Sequence, residues 1–182
     1  MIDQEKIKFA TKLLLEALGE DTSREGLQET PTRVSNMYNE IFSGLYEDPK
    51  KHLKIFIEES ANNQPISVRD IPLRSVCEHH LLPFIGVAHI TYIPKDGKII
   101  GLSKFARIVE CFAKRPQVQE RLTNQIAEFL YNNLAPVGVE VIVEAEHLCM
   151  TMRGIKAAGS KTTTRAVKGN LKDTINRAYL GD

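Results

Sequence analysis

The chain has 182 residues and a formal net charge of +1, enough for one domain with a sizeable core and too little charge to draw it onto nucleic acid or a membrane surface. Its start lacks a basic segment followed by an apolar run, and no apolar stretch is long enough to span a bilayer, so a soluble, cytoplasmic protein is expected. Three cysteines far apart do not form a secreted disulfide framework; they read as core residues, metal ligands or nucleophiles.

Ile7, Ala10, Leu14 and Ala17 recur at helical spacing over residues 4–18, Leu13 and Leu18 widen the stripe, and Gly19 ends it. Thr30-Pro31 predicts a second helix, with Thr30 as N-cap and proline at the first helical position. Val34, Met37, Tyr38, Ile41 and Phe42 form its apolar face, and Gly44 stops it. Residues 1–50 are therefore expected to be a helical N-terminal segment rather than a separate domain, with Arg33 a solvated surface residue. From about residue 52 the period changes: Leu53, Ile55 and Ile57 alternate as in a strand. Ile66–Asp70 predicts a short strand, and Phe84–Ile93 a long one ended by the turn Pro94-Lys95-Asp96-Gly97. Two helices follow. Ser103 is the expected N-cap of one carrying Phe105, Ile108, Val109 and Phe112, with Cys111 in the core, and Pro116 opens another carrying Leu122, Ile126, Phe129 and Leu130. Strand returns over Val137–Met152, and Lys161–Lys168 is the last. Strands, two consecutive helices, then strands predict an α+β domain over residues 51–182 with an antiparallel sheet and the two helices on one face. Neither a Gly-x-Gly-x-x-Gly fingerprint nor a P-loop occurs.

The chemistry concentrates at Cys77-Glu78-His79-His80. Cys77 and His80 are three apart, so one turn of helix or a tight loop puts thiolate and imidazole on the same side, a workable bite for zinc. Further on, the two-residue period of a strand puts Val139, Val141, Val143, Ala145, His147 and Cys149 on one face and Glu140, Ile142, Glu144 and Glu146 on an acidic, wet one. Alone, Cys149 would be a small core residue and His147 a satisfied core histidine. Together with the first stretch they read as a metal site: Cys77, His80 and Cys149 supply three ligands and leave a fourth position for water, the arrangement of a catalytic zinc. His79 and His147 remain to move protons near neutral pH, which points to hydrolytic or deaminase-like chemistry.

Those stretches, with Gly101-Leu102-Ser103-Lys104, the run Arg115-Pro116-Gln117-Val118-Gln119-Glu120-Arg121-Leu122 and Arg153-Gly154, strongly resemble GTP cyclohydrolase I, from Thr30-Pro31 to Thr164. The resemblance implies a zinc enzyme that converts GTP and water to 7,8-dihydroneopterin triphosphate and formate, the entry to pterins and tetrahydrofolate. It implies a T-fold (tunnelling fold) whose sheets join in a ring, with two pentamers stacked as a homodecamer and each active site between subunits. By the same resemblance Cys77, His80 and Cys149 match the zinc ligands, and His79 and His147 the acid/base histidines. Glu120 matches the residue that anchors guanine, accepting from N1–H and the exocyclic amine together, and Gln119 a neighbouring base or ribose contact. Ser103, Lys104 and Arg107, at the start of a predicted helix, would join Arg153 in a triphosphate cradle; without the family they are an N-cap and a solvated face. Glu78 would orient a ligand or help bind substrate. Leu171 stands where the family usually has an aromatic residue. The competing readings are a non-catalytic nucleotide-binding zinc module on the same scaffold and another T-fold enzyme of pterin or deazapurine metabolism.

Overall fold

A computed structural model describes residues 1–171, so the C-terminal limit of the expected 51–182 segment lies outside the described residues. Helix α1 (Gln4–Ala17) forms where the periodicity places it, and the Asp3 side chain caps it by accepting from the Lys6 N–H at 3.0 Å. It packs on α3 (Thr30–Ile41), where Ser35 Oγ donates to the Gln4 carbonyl at 3.1 Å. A single turn, α2 (Glu25–Gln28), runs almost straight into α3. The backbone is thus already helical at Glu29, which takes the N-cap position instead of Thr30. Arg33 is exposed and pairs with Glu29 at 2.6 Å, as a solvated surface arginine would.

Two sheets follow. The smaller joins β1 (Ile55–Ile57) to β4 (Lys98–Ile100), a strand that the sequence pattern did not reveal. All three residues of β1 are exposed, so its apolar alternation does not record burial in this chain. The larger contains β2 (Ile66–Cys77), β3 (Pro83–Ile93), β5 (Pro116–Gln117), β6 (Gly138–His147) and β7 (Thr162–Gly169), in the order β5-β2-β3-β6-β7. The long pairings are antiparallel and the short β2–β5 contact is parallel. Strand β2 runs well beyond Asp70 because a bulge between Val68 and Ile71, with Asp70 at φ 55°, lets the ladder resume along β3. Gly86 faces Ala145 in the β3–β6 register, where a Cβ would stand 1.9 Å from the Glu144 carbonyl oxygen; only glycine lets these strands approach so closely.

Helices α4 (Leu102–Ala113) and α5 (Gln119–Leu134) cover the sheet, α4 over β2 and α5 over β6 and β7. Phe105, Ile108, Leu122, Ile126 and Leu130 meet Phe84, Ile90, Val141 and Val143 in one core without solvent access. Each such side chain contributes about 1.5–3 kcal/mol on burial. The architecture is therefore mixed α+β with the two adjacent helices packed on an antiparallel sheet.

The starts of α4 and α5 depart from expectation for a common reason: strand pairing claims the flanking residues first. Pairing of β4 with β1 ends at Ile100, so Gly101 becomes the N-cap of α4 and Ser103 sits inside its first turn. Pro116 does not open a helix. It lies in β5 beside Val76, and α5 begins only at Gln119. The strand expected over Val137–Met152 ends at His147, and residues 148–151 turn as the short helix α6 (Leu148–Thr151). Cys149 therefore belongs to that turn and not to the face shared by Val139, Val141, Val143 and Ala145. The opposite face of β6 is not uniformly wet either: Glu140 is 7% exposed and accepts from Arg165 Nε at 2.5 Å.

Candidate functional site

The site forms where β2 ends, β3 begins and β6 gives way to α6. Val76 pairs with Pro83 and Phe84 with His147, so the tight loop 78–82 and the end of β6 lie side by side. The Leu81 N–H donates to the Cys77 carbonyl and the Cys77 N–H to the Leu82 carbonyl, each at 2.9 Å, with Leu81 at φ 53° closing the loop. The Glu78 N–H donates to the Gln117 carbonyl at 3.0 Å, which ties the loop to β5. The loop is fixed by backbone bonds, and its side chains are left to project.

Cys77 Sγ, a ring nitrogen of His80 and Cys149 Sγ lie within 4.8 Å of one another. Cys77 is buried, Cys149 half-buried and His80 exposed, so the group has a protected floor and an accessible rim. Burial, and after it the adjacent Cys77 thiol, push the Cys149 thiol above its ordinary value. Two sulfurs packed together resist ionising unless a cation joins them. Arg153 Nη1 is 3.4 Å from His80 Nε2, and because a guanidinium only donates, that nitrogen is the acceptor of the pair. His79 stands at the same loop, exposed, with Nδ1 3.7 Å from Cys77 Sγ.

His147 is held from two sides. Its ring stacks on Phe84, centroids 4.7 Å apart and planes 9° from parallel. Its Nε2 lies 2.7 Å from Gln119 Oε1. The Gln119 amide nitrogen donates to the Val143 and Thr162 carbonyls at 3.0 and 2.9 Å, and to Thr164 Oγ1 at 3.1 Å. That network fixes which end of the amide is oxygen, so His147 donates from Nε2 and, when neutral, keeps its lone pair on Nδ1. Burial lowers the His147 pKa, and the negative charge of Glu120 partly offsets this. Gln119 itself is 1% exposed, its side chain committed to His147 and the strands.

The Glu78 carboxylate receives both Arg121 guanidinium nitrogens, at 2.5 and 3.0 Å, and these hydrogen bonds hold it below its ordinary pKa. The pair ties the metal-type loop to the first turn of α5, where Glu120 is exposed. Sequence reasoning passed over Arg121 and Thr164, the latter a partner of the Gln119 amide. Arg121 lies inside the quoted motif, but only the fold shows which carboxylate it meets.

Ser103, Lys104 and Arg107 are not brought to this group. The last residue of α4, Ala113, lies beside β2, its carbonyl accepting from Ser75 Oγ at 2.7 Å. Ser103 is ten residues earlier, about 15 Å along the helix axis. Ser103 and Lys104 thus stand in the first turn of α4, at the opposite end from Cys77, while Arg107 lies midway along the helix on the wall of a separate cavity with Glu110 and Lys114.

The donor set can be tested against zinc. Two thiolates and an imidazole are ligands it favours, and bonds of about 2.0–2.3 Å in a tetrahedron need donors about 3.3–3.8 Å apart, within the observed limit. The residues fit. Fold and site together define an α+β protein bearing a three-donor cysteine–histidine group that could hold a metal ion, flanked by two further histidines.

Comparison with known proteins narrows that class. A family model described as GTP cyclohydrolase I matches residues 7–179. The GTP cyclohydrolase 1 of Pelotomaculum thermopropionicum is 60% identical over 96% of this chain and 93% of its own length. That of Thermoanaerobacter pseudethanolicus is 61% identical over 99% and 96%. The chain belongs to the GTP cyclohydrolase I family. Among solved structures, an archaeosine synthase QueF-Like protein in the apo form is 17% identical, covering 59% of this chain and 95% of its own, with a TM-score of 0.46. That likeness is too distant to carry an argument.

Proposed function

We propose that this chain is a zinc-dependent GTP cyclohydrolase I, converting GTP and water to 7,8-dihydroneopterin triphosphate and formate. The observation that carries the reading is the grouping of Cys77, His80 and Cys149 beside two histidines that hold no ligand position. Cys77, His80 and Cys149 would hold the zinc, which when bound acts as a Lewis acid and lowers the pKa of a water. His79, exposed at the loop tip, would protonate guanine N7 and make C8 more electrophilic. His147, neutral through burial and with Nδ1 as its acceptor, would take protons during ring opening and formamide hydrolysis. Gln119 would act through His147, setting its tautomer, rather than through the base.

Glu120, exposed in the first turn of α5, would accept twice from the guanine edge. Arg153, beside His80, would meet the triphosphate. With Ser103 and Lys104 in the first turn of α4 and Arg107 on the cavity wall beside Glu110 and Lys114, the cradle is not assembled beside Cys77 within one chain, which favours a site shared between subunits, with a neighbour's α4 completing it. This agrees with a T-fold ring, and two stacked pentamers are the proposed assembly. Residues 1–50 would be an extension of one catalytic domain, and no nucleic-acid or membrane partner is proposed.

Incubating the zinc-loaded protein with GTP tests the reading. Equimolar formate and a pterin that fluoresces after oxidation are expected. Bound zinc and bound GTP without product would leave a non-catalytic nucleotide-binding module in its place.

A further inference from the structure

Glu47, His52 and Cys111 form a second group of metal-type donors, with one ligand atom from each within 4.8 Å of the others. They come from two segments. Glu47 precedes and His52 ends a short 3-10 turn (Pro49–His52) that follows α3, and Cys111 is in the last turn of α4, 64 residues from Glu47. His52 Nε2 is hydrogen-bonded to Glu47 Oε1, and their side chains are only 14% and 19% exposed. Cys111 is 1% exposed, and its thiol lies 3.8 Å from the Glu47 carbonyl. The docking of these segments is tight: a Cβ on Gly44 would stand 2.1 Å from the Cys111 carbonyl oxygen. A cavity of about 300 Å³ opens beside the three donors, lined also by Arg107, Glu110 and Lys114.

We propose that Glu47, His52 and Cys111 bind a divalent ion of the zinc class, clipping the segment after α3 to α4. A thiolate, an imidazole and a carboxylate are the mixed donors that zinc accepts and that magnesium or calcium does not select. The ion takes over the Glu47–His52 hydrogen bond, the thiol releases its proton to solvent, and the cavity leaves room for a water as fourth ligand. Lys51 Nζ, 2.8 Å from Glu47 Oε1, and Arg115 Nη2, 3.8 Å from Cys111 Sγ, oppose a further positive charge. Arg107 and Lys114 on the cavity wall add to that opposition; the two anionic ligands neutralise the ion's own charge, and Glu110 on the same cavity offsets part of the rest. A cross-link over so long a stretch of chain restricts the unfolded state, which makes this a stabilising clip.

Counting zinc per chain on the dialysed full-length protein, by elemental analysis and native mass spectrometry, tests this directly. Two ions per chain are expected in the unmodified protein, and one in Cys111→Ala and in His52→Gln. Cys149→Ala, which breaks the other group, should retain one ion, and its cobalt-loaded form should show a thiolate-to-cobalt charge-transfer band that is lost when Cys111→Ala is added to the same chain. Zero ions in Cys149→Ala, or two persisting in both Cys111→Ala and His52→Gln, overturns the proposal. If Cys111→Ala does not fold, the His52→Gln and Cys149→Ala counts decide.

Discussion

The two donor clusters contrast in what stands beside the donors rather than in the donors themselves. Around Cys77, His80 and Cys149 a hairpin loop and a one-turn helix leave His79 exposed and His147 oriented by Gln119. Around Glu47, His52 and Cys111 the neighbours are Lys51, Lys114, Arg107 and Arg115, and no second histidine is within the group. The first cluster has two titratable imidazoles beside its donors and an accessible rim. The second joins two segments in a largely buried setting. Metal-type donors therefore mark a place where an ion can sit, while uncommitted titratable groups decide whether chemistry can follow.

The sharpest way to break this contrast is to remove a ligand from the first cluster. Cys149→Ser should lose zinc from that cluster and GTP turnover together, down to background, measured by metal content and formate release. An active variant lacking that zinc would remove the cluster from the mechanism. His79→Ala should keep the metal and still lower kcat by about 10²–10⁴-fold, the usual contribution of a general acid or base. Normal turnover would make His79 a bystander and the first cluster no richer than the second. Gln119→Leu should cost about 10–100-fold in kcat, as for groups that orient a functional imidazole. It should also move the pH–rate profile, because nothing then fixes the His147 tautomer, and a purely structural role would leave that profile in place. The smallest effect is expected from Glu120→Gln, about 10-fold in KM for GTP with metal content unchanged, since a neutral amide cannot accept twice from guanine. Unchanged KM would argue that the base is anchored elsewhere.

Much of this was legible in the chain itself. Apolar periodicity located β3 and the bodies of α4 and α5, because buried faces impose their period on the sequence; α1 also forms where its stripe places it, although Leu13, Leu14 and Leu18 of that stripe are exposed in this chain. Residue types alone brought Cys77, His79, His80, His147 and Cys149 under suspicion, since a thiol and imidazoles three apart are rarely needed by a core. What the chain could not announce were features created by pairing. Strand β4 is three residues long and exists because β1 lies beside it. The start of α5 moved past Pro116 because β2 recruited that residue into a parallel contact. Cys149 reaches the site through the turn after β6, not along its face.

Chemistry at the first cluster was thus written locally: donors and spare histidines sit within a few residues of one another in two short stretches. The His147 tautomer, the Glu78–Arg121 tie and the whole second cluster depend on residues tens of positions apart. Only the packing of α4 and α5 against the sheet, and of the segment after α3 against α4, decides which of those distant groups meet, because a polar side chain takes its role from whatever partner the fold brings within hydrogen-bond reach.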